Sequence, residues 1–169
     1  MAAIEHASEV AHQEAAAYTG GEDRPLKSFT ALMVAYGALT AGLGVASLRR
    51  GATDVRPRDL ALLGVATAKL SRVLARDRVT SPLRAPFTRF EDFSSGSEVD
   101  ESPRGSGLRL ALGELLTCPT CLSQWVGTAL LGGLLLRPRE TRLAASLFTM
   151  LAVNDTVQAA LAKLAEAEG

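Results

Sequence analysis

Aromatic residues are scarce in this chain: five Phe, two Tyr and one Trp, together 5 % of 169 residues. Any core must therefore be assembled from Ala, Leu, Val and Gly, a composition better suited to close helix packing in lipid than to a water-soluble interior. An excess charge of either sign is also missing. The net charge is +0 at pH 7, which removes the bulk electrostatic case for a nucleic-acid partner. Two cysteines are too few for a disulfide framework. No Gly-rich phosphate loop, Ser-His-Asp set or nucleotide motif stands out, and no cofactor is implied. No basic n-region leads an early apolar stretch, so a signal peptide of the usual form is not expected.

What is present is a set of long apolar runs separated by crowded charge. Residues 28–48 carry no charge, which meets the length rule for a transmembrane helix. Gly37 and Ala41, and Ala38 and Gly42, are small residues four apart, a spacing that lets a neighbouring backbone approach. Pro57 opens a second helix, expected over 58–76. Its apolar run is short, and Lys69, Arg72 and Arg76 follow on one face; it either spans, with the cations snorkelling or paired inside the bundle, or lies at the interface. A third helix is expected to end at Leu136, stopped by Arg137, Pro138 and Arg139. A fourth is expected over 141–165, interrupted by Asn154 and Asp155. The polar, acidic residues 1–27 read as a tail, and residues 91–107, rich in Ser, Gly and acid, as a flexible surface loop.

The third helix opens on Glu114-Leu-Leu-Thr-Cys118-Pro-Thr-Cys121-Leu-Ser-Gln-Trp125. Pro119 belongs in a first helical turn, so the helix starts at Thr117 or Cys118. Its ~18 residues, at about 1.5 Å each, give roughly 27 Å, close to the hydrocarbon thickness of a bilayer. Trp125 falls near the headgroup side, where tryptophan is favoured. Cys118 and Cys121, three apart, share a face. A thiol at a helix start feels the positive end of the dipole, which favours thiolate. Three readings stay open: structural cysteines under the helix end, a redox-active pair, or half of a metal site completed across a dimer, because a zinc site wants four ligands and this pair supplies two.

Depth arithmetic adds one expectation. Asp155 lies about 21 Å along the fourth helix and Arg72 about 21 Å along the second. Both then sit near the cysteine end, level with Gln124 and Trp125 and below Glu114. One polar cluster of Arg72, Glu114, Gln124, Trp125 and Asp155 is expected, with an Arg–carboxylate pair offsetting the burial of either charge. Arg and Lys are more numerous in the segments joined to this end, chiefly 72–109, which places it on the cytoplasmic face, where thiols are kept reduced.

Leu-Thr-Cys118-Pro119-X-Cys121-X-X-X-Trp125, with the upstream Leu70-Ser-Arg-Val and Val79-Thr-Ser-Pro-Leu-Arg-Ala-Pro-Phe stretches, resembles the bacterial membrane proteins of the domain of unknown function 1360 family, some of which are labelled sporulation proteins. The resemblance extends over roughly 30–165 and implies membrane residence; no activity or catalytic residue comes with it.

The expectation is thus an all-α integral membrane helical bundle of four helical segments, three or four of them spanning, over residues 28–165. The implied protein is a multi-pass component of a bacterial cell membrane, non-enzymatic and acting through helix or partner contacts, in the bilayer beside a membrane-protein partner or a second copy. A thiol–disulfide oxidoreductase using Cys118 and Cys121 is the alternative, and a metal-binding dimer a third class.

Overall fold

The computed structural model describes residues 24–51, 55–94 and 96–168, together with Glu5, His6, Glu9, Val10, Gln13, Glu14, Ala17 and Tyr18. The expected tail over 1–27 therefore lies largely outside the described residues.

Four long helices carry the fold: α1 (Leu26–Arg49), α2 (Pro57–Arg76), α5 (Pro119–Leu136) and α6 (Pro138–Glu168). Two shorter ones, α3 (Ser81–Arg84) and α4 (Gly107–Thr117), flank a hairpin of β1 (Thr88–Phe93) and β2 (Val99–Pro103). Proline sets three of the helix starts, at Pro57, Pro119 and Pro138, where its missing N–H costs nothing and its φ is already helical. α1 ends on Gly51 at φ +62°, a left-handed position that glycine occupies without a Cβ penalty.

α2 is the centre. It packs on α5 and α6, with Leu63, Ala66, Leu134 and Ala145 buried in one cluster and Ala75, Leu122 and Val126 in another. Leu63 therefore meets the end of α5 and Ala75 its beginning, so α2 and α5 are antiparallel. α6 returns beside α2 in the same direction, joined by Asp59–Arg142, the Thr149 hydroxyl on the Leu62 carbonyl at 3.1 Å, and Lys69–Asp155. α1 lies outermost. Its Tyr36 ring meets Trp125 edge-on at 5.2 Å, and its hydroxyl is 2.9 Å from Thr128 Oγ1. The order is up-down-up-down, with Leu26, Arg76, Pro119 and the second half of α6 toward the cysteine end.

Three expectations are corrected. The chain is mostly helical but not all-α. The 88–103 stretch, mostly expected as flexible loop, pairs as an antiparallel hairpin, Thr88 opposite Pro103 and Phe90 opposite Glu101, with a bulge between Phe90 and Asp92. Its acidic residues reach cations far away in sequence, which no local pattern displays. Next, among the described residues two helices, α1 and α5, are long and apolar enough to cross a membrane. α6 is not one of them, because Asn154, Asp155 and Lys163 dilute its second half, and α2 is diluted by Lys69, Arg72 and Arg76. Finally, the small residues of α1 receive no backbone: a Cβ on Gly37 or Gly42 would meet nothing within 4 Å. The close approach is made instead at Gly132 of α5, where a Cβ would lie 2.8 Å from Leu43 Cδ2.

Candidate functional site

Cys118 is the hinge between α4 and α5. Its backbone is extended (φ −104°, ψ 103°), and its sulfur caps α5 by accepting the Cys121 N–H at 3.2 Å. The two sulfurs are joined in a disulfide, Cα to Cα 5.2 Å. Three-residue spacing in a first helical turn holds both side chains on one face, close enough to bond. Cys121 is exposed and Cys118 half-buried. If the bond is reduced, the N–H donor and the helix start favour negative charge on Cys118.

Beside this turn lies a cavity of about 750 Å³. Pro119 and Thr120, the residues between the cysteines, form one wall, with Ser123 a turn on. Lys69, Arg72 and Arg76 of α2 bring three cations, and Glu98, Asp100 and Asp155 three carboxylates. The charges are matched pairwise: Lys69 Nζ to Asp155 Oδ2 at 2.6 Å, Arg72 Nη2 to Glu98 Oε2 at 3.1 Å, and Arg76 Nη1 to Asp100 Oδ1 at 2.6 Å. Ser71 is 1 % exposed, and its hydroxyl finds no partner among the described residues. A neutral, polar cleft of this kind suits a ligand or peptide carrying hydrogen-bonding groups of both kinds rather than a simple anion or cation.

The expected polar cluster therefore divides. Arg72 and Asp155 share the cavity, but Asp155 takes Lys69 as its partner and Arg72 takes Glu98. Glu114 lies on α4, 4.0 Å from Arg24. Trp125 faces α1 through Tyr36, and Gln124 is exposed. The physical reason is rotation about the helix axis: equal depth does not mean equal face, and Trp125 and Ser123 point to different neighbours although they are two residues apart. Among the described residues no group of three or more His, Cys, Asp or Glu is placed to hold a metal ion, and Cys118 and Cys121 bring two sulfur donors.

Sequence reasoning missed the best-satisfied polar group. Arg84, 0 % exposed, forms a two-point pair with Glu101 and also donates to the carbonyls of Leu74 and Asp77 and the hydroxyls of Thr80 and Ser81. Glu101 accepts further bonds from Thr88 and Ser81. Burial alone would push the Glu101 carboxyl up, but the hydrogen bonds from Arg84, Thr88 and Ser81 and the Arg84 charge outweigh it and hold it below the usual glutamate range. This knot ties the end of α2, α3 and both strands into one cap over the cysteine end. The available signal was a run of cations at 72, 76, 78 and 84 followed by acids at 98, 100 and 101, which gives charge balance but no pairing.

Residues 62–161 match the family model described as "Protein of unknown function (DUF1360)". The chain is similar to "Sporulation protein YjcA" of Bacillus subtilis (strain 168), 33 % identical over 69 residues, which is 39 % of this chain and 58 % of that protein. The match thus spans a little over half the length of that relative. No solved structure matches the chain. With most of α2, the hairpin cap, the Cys118–Cys121 turn and most of α6 inside the matched region, the chain belongs to the DUF1360 family.

Proposed function

We propose that the protein is a multi-pass component of a bacterial cell membrane, a four-helix bundle acting through contacts with partner helices, with the hairpin cap and the cysteine turn outside the bilayer on one side. The observation that carries this reading is α1: 24 residues, with only 6 % of its apolar window buried. Met33, Val34, Val45 and Leu48 stand exposed. In water that face would be a large unsheltered apolar surface; in lipid it is the ordinary exterior of a span. α1 is about 36 Å long and α5 about 27 Å, enough for the hydrocarbon layer. α2 and α6 cross beside them with their charges matched, Asp59 to Arg142 at one end and Lys69 to Asp155 toward the other, which offsets the cost of holding ions near lipid. In lipid the apolar clusters around α2 stabilise by close packing rather than by leaving water.

The test is fractionation of the full chain with extraction at alkaline pH, followed by labelling of single cysteines, in a Cys118→Ser, Cys121→Ser background, at Gly51, Arg139 and Ser97. The expected result is a detergent-requiring protein in which 51 and 139 label from one side and 97 from the other. A chain that stays in the aqueous fraction without detergent overturns the reading, and labelling of all three from one side overturns the four-pass arrangement.

A second reading, thiol–disulfide exchange, is favoured by the bonded Cys118–Cys121 pair at a helix start. A thiolate of a partner dithiol attacks the exposed Cys121 sulfur, and Cys118 leaves as the thiolate that the Cys121 N–H and the helix start favour. The partner's second thiolate then attacks its own sulfur in the mixed disulfide and releases Cys121. The partner gains a disulfide, and its two electrons and two protons end on Cys118 and Cys121 as thiols. Equilibration of the pair in glutathione buffers, read by alkylation, tests this: a pair that stays oxidised or stays reduced across the accessible range ends the exchange reading.

A further inference from the structure

Along α6, Leu143, Leu147, Met150, Asn154, Val157, Leu161 and Leu164 follow one another at alternating steps of four and three residues. All are exposed. That is the a/d spacing of a heptad seam, with Leu147, Asn154 and Leu161 at a and Leu143, Met150, Val157 and Leu164 at d. Beyond Thr156, residues 157–167 are exposed all round, and there Val157, Leu161 and Leu164 are the only large apolar side chains. Asp155, Lys163 and Glu166 lie off the seam. The e and g positions from 144 to 165 hold Ala, Leu, Val, Ser and Gln, so no charge opposes close approach.

We propose that this stripe is the contact face for a second copy of the chain, paired α6 to α6, parallel and in register, so that Asn154 faces Asn154 of the other copy. Contact with lipid accounts for Leu143, Leu147 and Met150. It does not account for the continuation to Leu164, about 15 Å past Asn154, in a segment that bears Lys163 and Glu166. A seam accounts for both halves. Two copies inserted with the same topology are related by an axis along the membrane normal, which makes their α6 helices parallel. Parallel pairing sets each a position against its own counterpart, and a polar Asn at a single a position selects register and oligomer state. In register the two amides bond each other; one heptad out, each faces leucine. The orientation rests on the membrane reading above, whereas the seam itself does not.

The test is oxidative cross-linking of single cysteines placed in a Cys118→Ser, Cys121→Ser background of the full chain. Positions 154, 157, 161 and 164 should give disulfide-linked dimer at least about five times faster than 159, 162 and 163 on the opposite face, as the side-chain directions of a helix require. Val157→Asp with Leu161→Asp should abolish cross-linking at 154. The changed side chains are exposed and α6 is solvent-covered there, so helical content by circular dichroism should be unchanged. Equal rates at all seven positions, or undiminished cross-linking at 154 in the double variant, would overturn the seam. A membrane-bound chain without the seam pattern sinks this inference and leaves the membrane reading intact; an aqueous chain with the pattern does the reverse.

Discussion

Arg84 and Glu101 face each other across the cap, Nε to Oε2 at 2.9 Å and Nη2 to Oε1 at 3.0 Å, with their side chains 1 % and 6 % exposed. Each remaining N–H of the guanidinium is taken up by a carbonyl or hydroxyl, so the charge is solvated by the chain itself. Burial of an ion pair is tolerated only under that condition. Removing one partner should therefore cost far more than removing both. Glu101→Ala, which leaves a buried guanidinium without its counter-charge, should destabilise by about 3–5 kcal/mol; Arg84→Met with Glu101→Leu should cost less than the sum of the single changes. Thermal or chemical unfolding in micelles measures both, and a loss of under about 1 kcal/mol for Glu101→Ala would contradict the picture.

The same pair sets an acid response. The Glu101 carboxyl is held below its usual range in the folded chain, so its contribution is fully present above the unfolded value, about 4.3. It is lost as pH falls from there through the folded pKa. Between pH 7 and about 5 this group should add no slope. Below about 4.3, wild type should lose melting temperature faster than Glu101→Gln, whose amide cannot titrate. Parallel curves for the two proteins would show that another group governs the acid limb.

Glycine spacing separates two kinds of contact. A Cβ on Gly113 of α4 would lie 2.6 Å from the Phe87 carbonyl oxygen and 3.0 Å from Pro103 Cβ. The first is backbone and cannot swing aside, so Gly113→Ala should lower stability by about 1–3 kcal/mol. Gly37→Ala on α1 meets nothing within 4 Å and should be neutral or stabilising by up to about 1 kcal/mol through helix propensity. Unfolding midpoints in one detergent give the comparison directly; the reverse order would mean that α4 does not dock on the hairpin as described.

Trp125 is the only tryptophan, which makes its contact with Tyr36 easy to read. Tyr36→Ala removes an edge-to-face pair of about 0.5–1.5 kcal/mol and the hydroxyl contact to Thr128. Trp125 fluorescence should change in intensity and in quenching by reagents added from the membrane phase, while the α2–α5–α6 core stays folded. An unchanged spectrum would place α1 elsewhere.

The starts of α2 and α5, the break at Cys118 and the antiparallel turn between α5 and α6 were legible because proline and short connections act locally: Pro57 and Pro119 restrict their own φ whatever surrounds them, whereas Pro138, expected to stop one helix, opens the next three residues before the expected 141. The hairpin was not legible. Glu98, Asp100 and Glu101 read as a solvated acidic loop because their partners, Arg72, Arg76 and Arg84, lie 17 to 26 residues away, and nothing in a charge pattern says which acid meets which base. The depth arithmetic brought Arg72 and Asp155 to one level, yet the pairing went to Lys69, since a shift of three residues along α2 changes the angular position facing α6.

By itself, the order of residues determined the material of this protein: uncharged runs long enough for lipid in α1 and α5, proline-set helix starts, and a heptad stripe on α6. Period and length are properties of a single helix and need no neighbour. Only the tertiary structure decided the company each charge keeps and the cap knotted by Arg84 and Glu101. Those depend on the relative rotation and approach of separate elements, which are set by packing between segments distant in the chain.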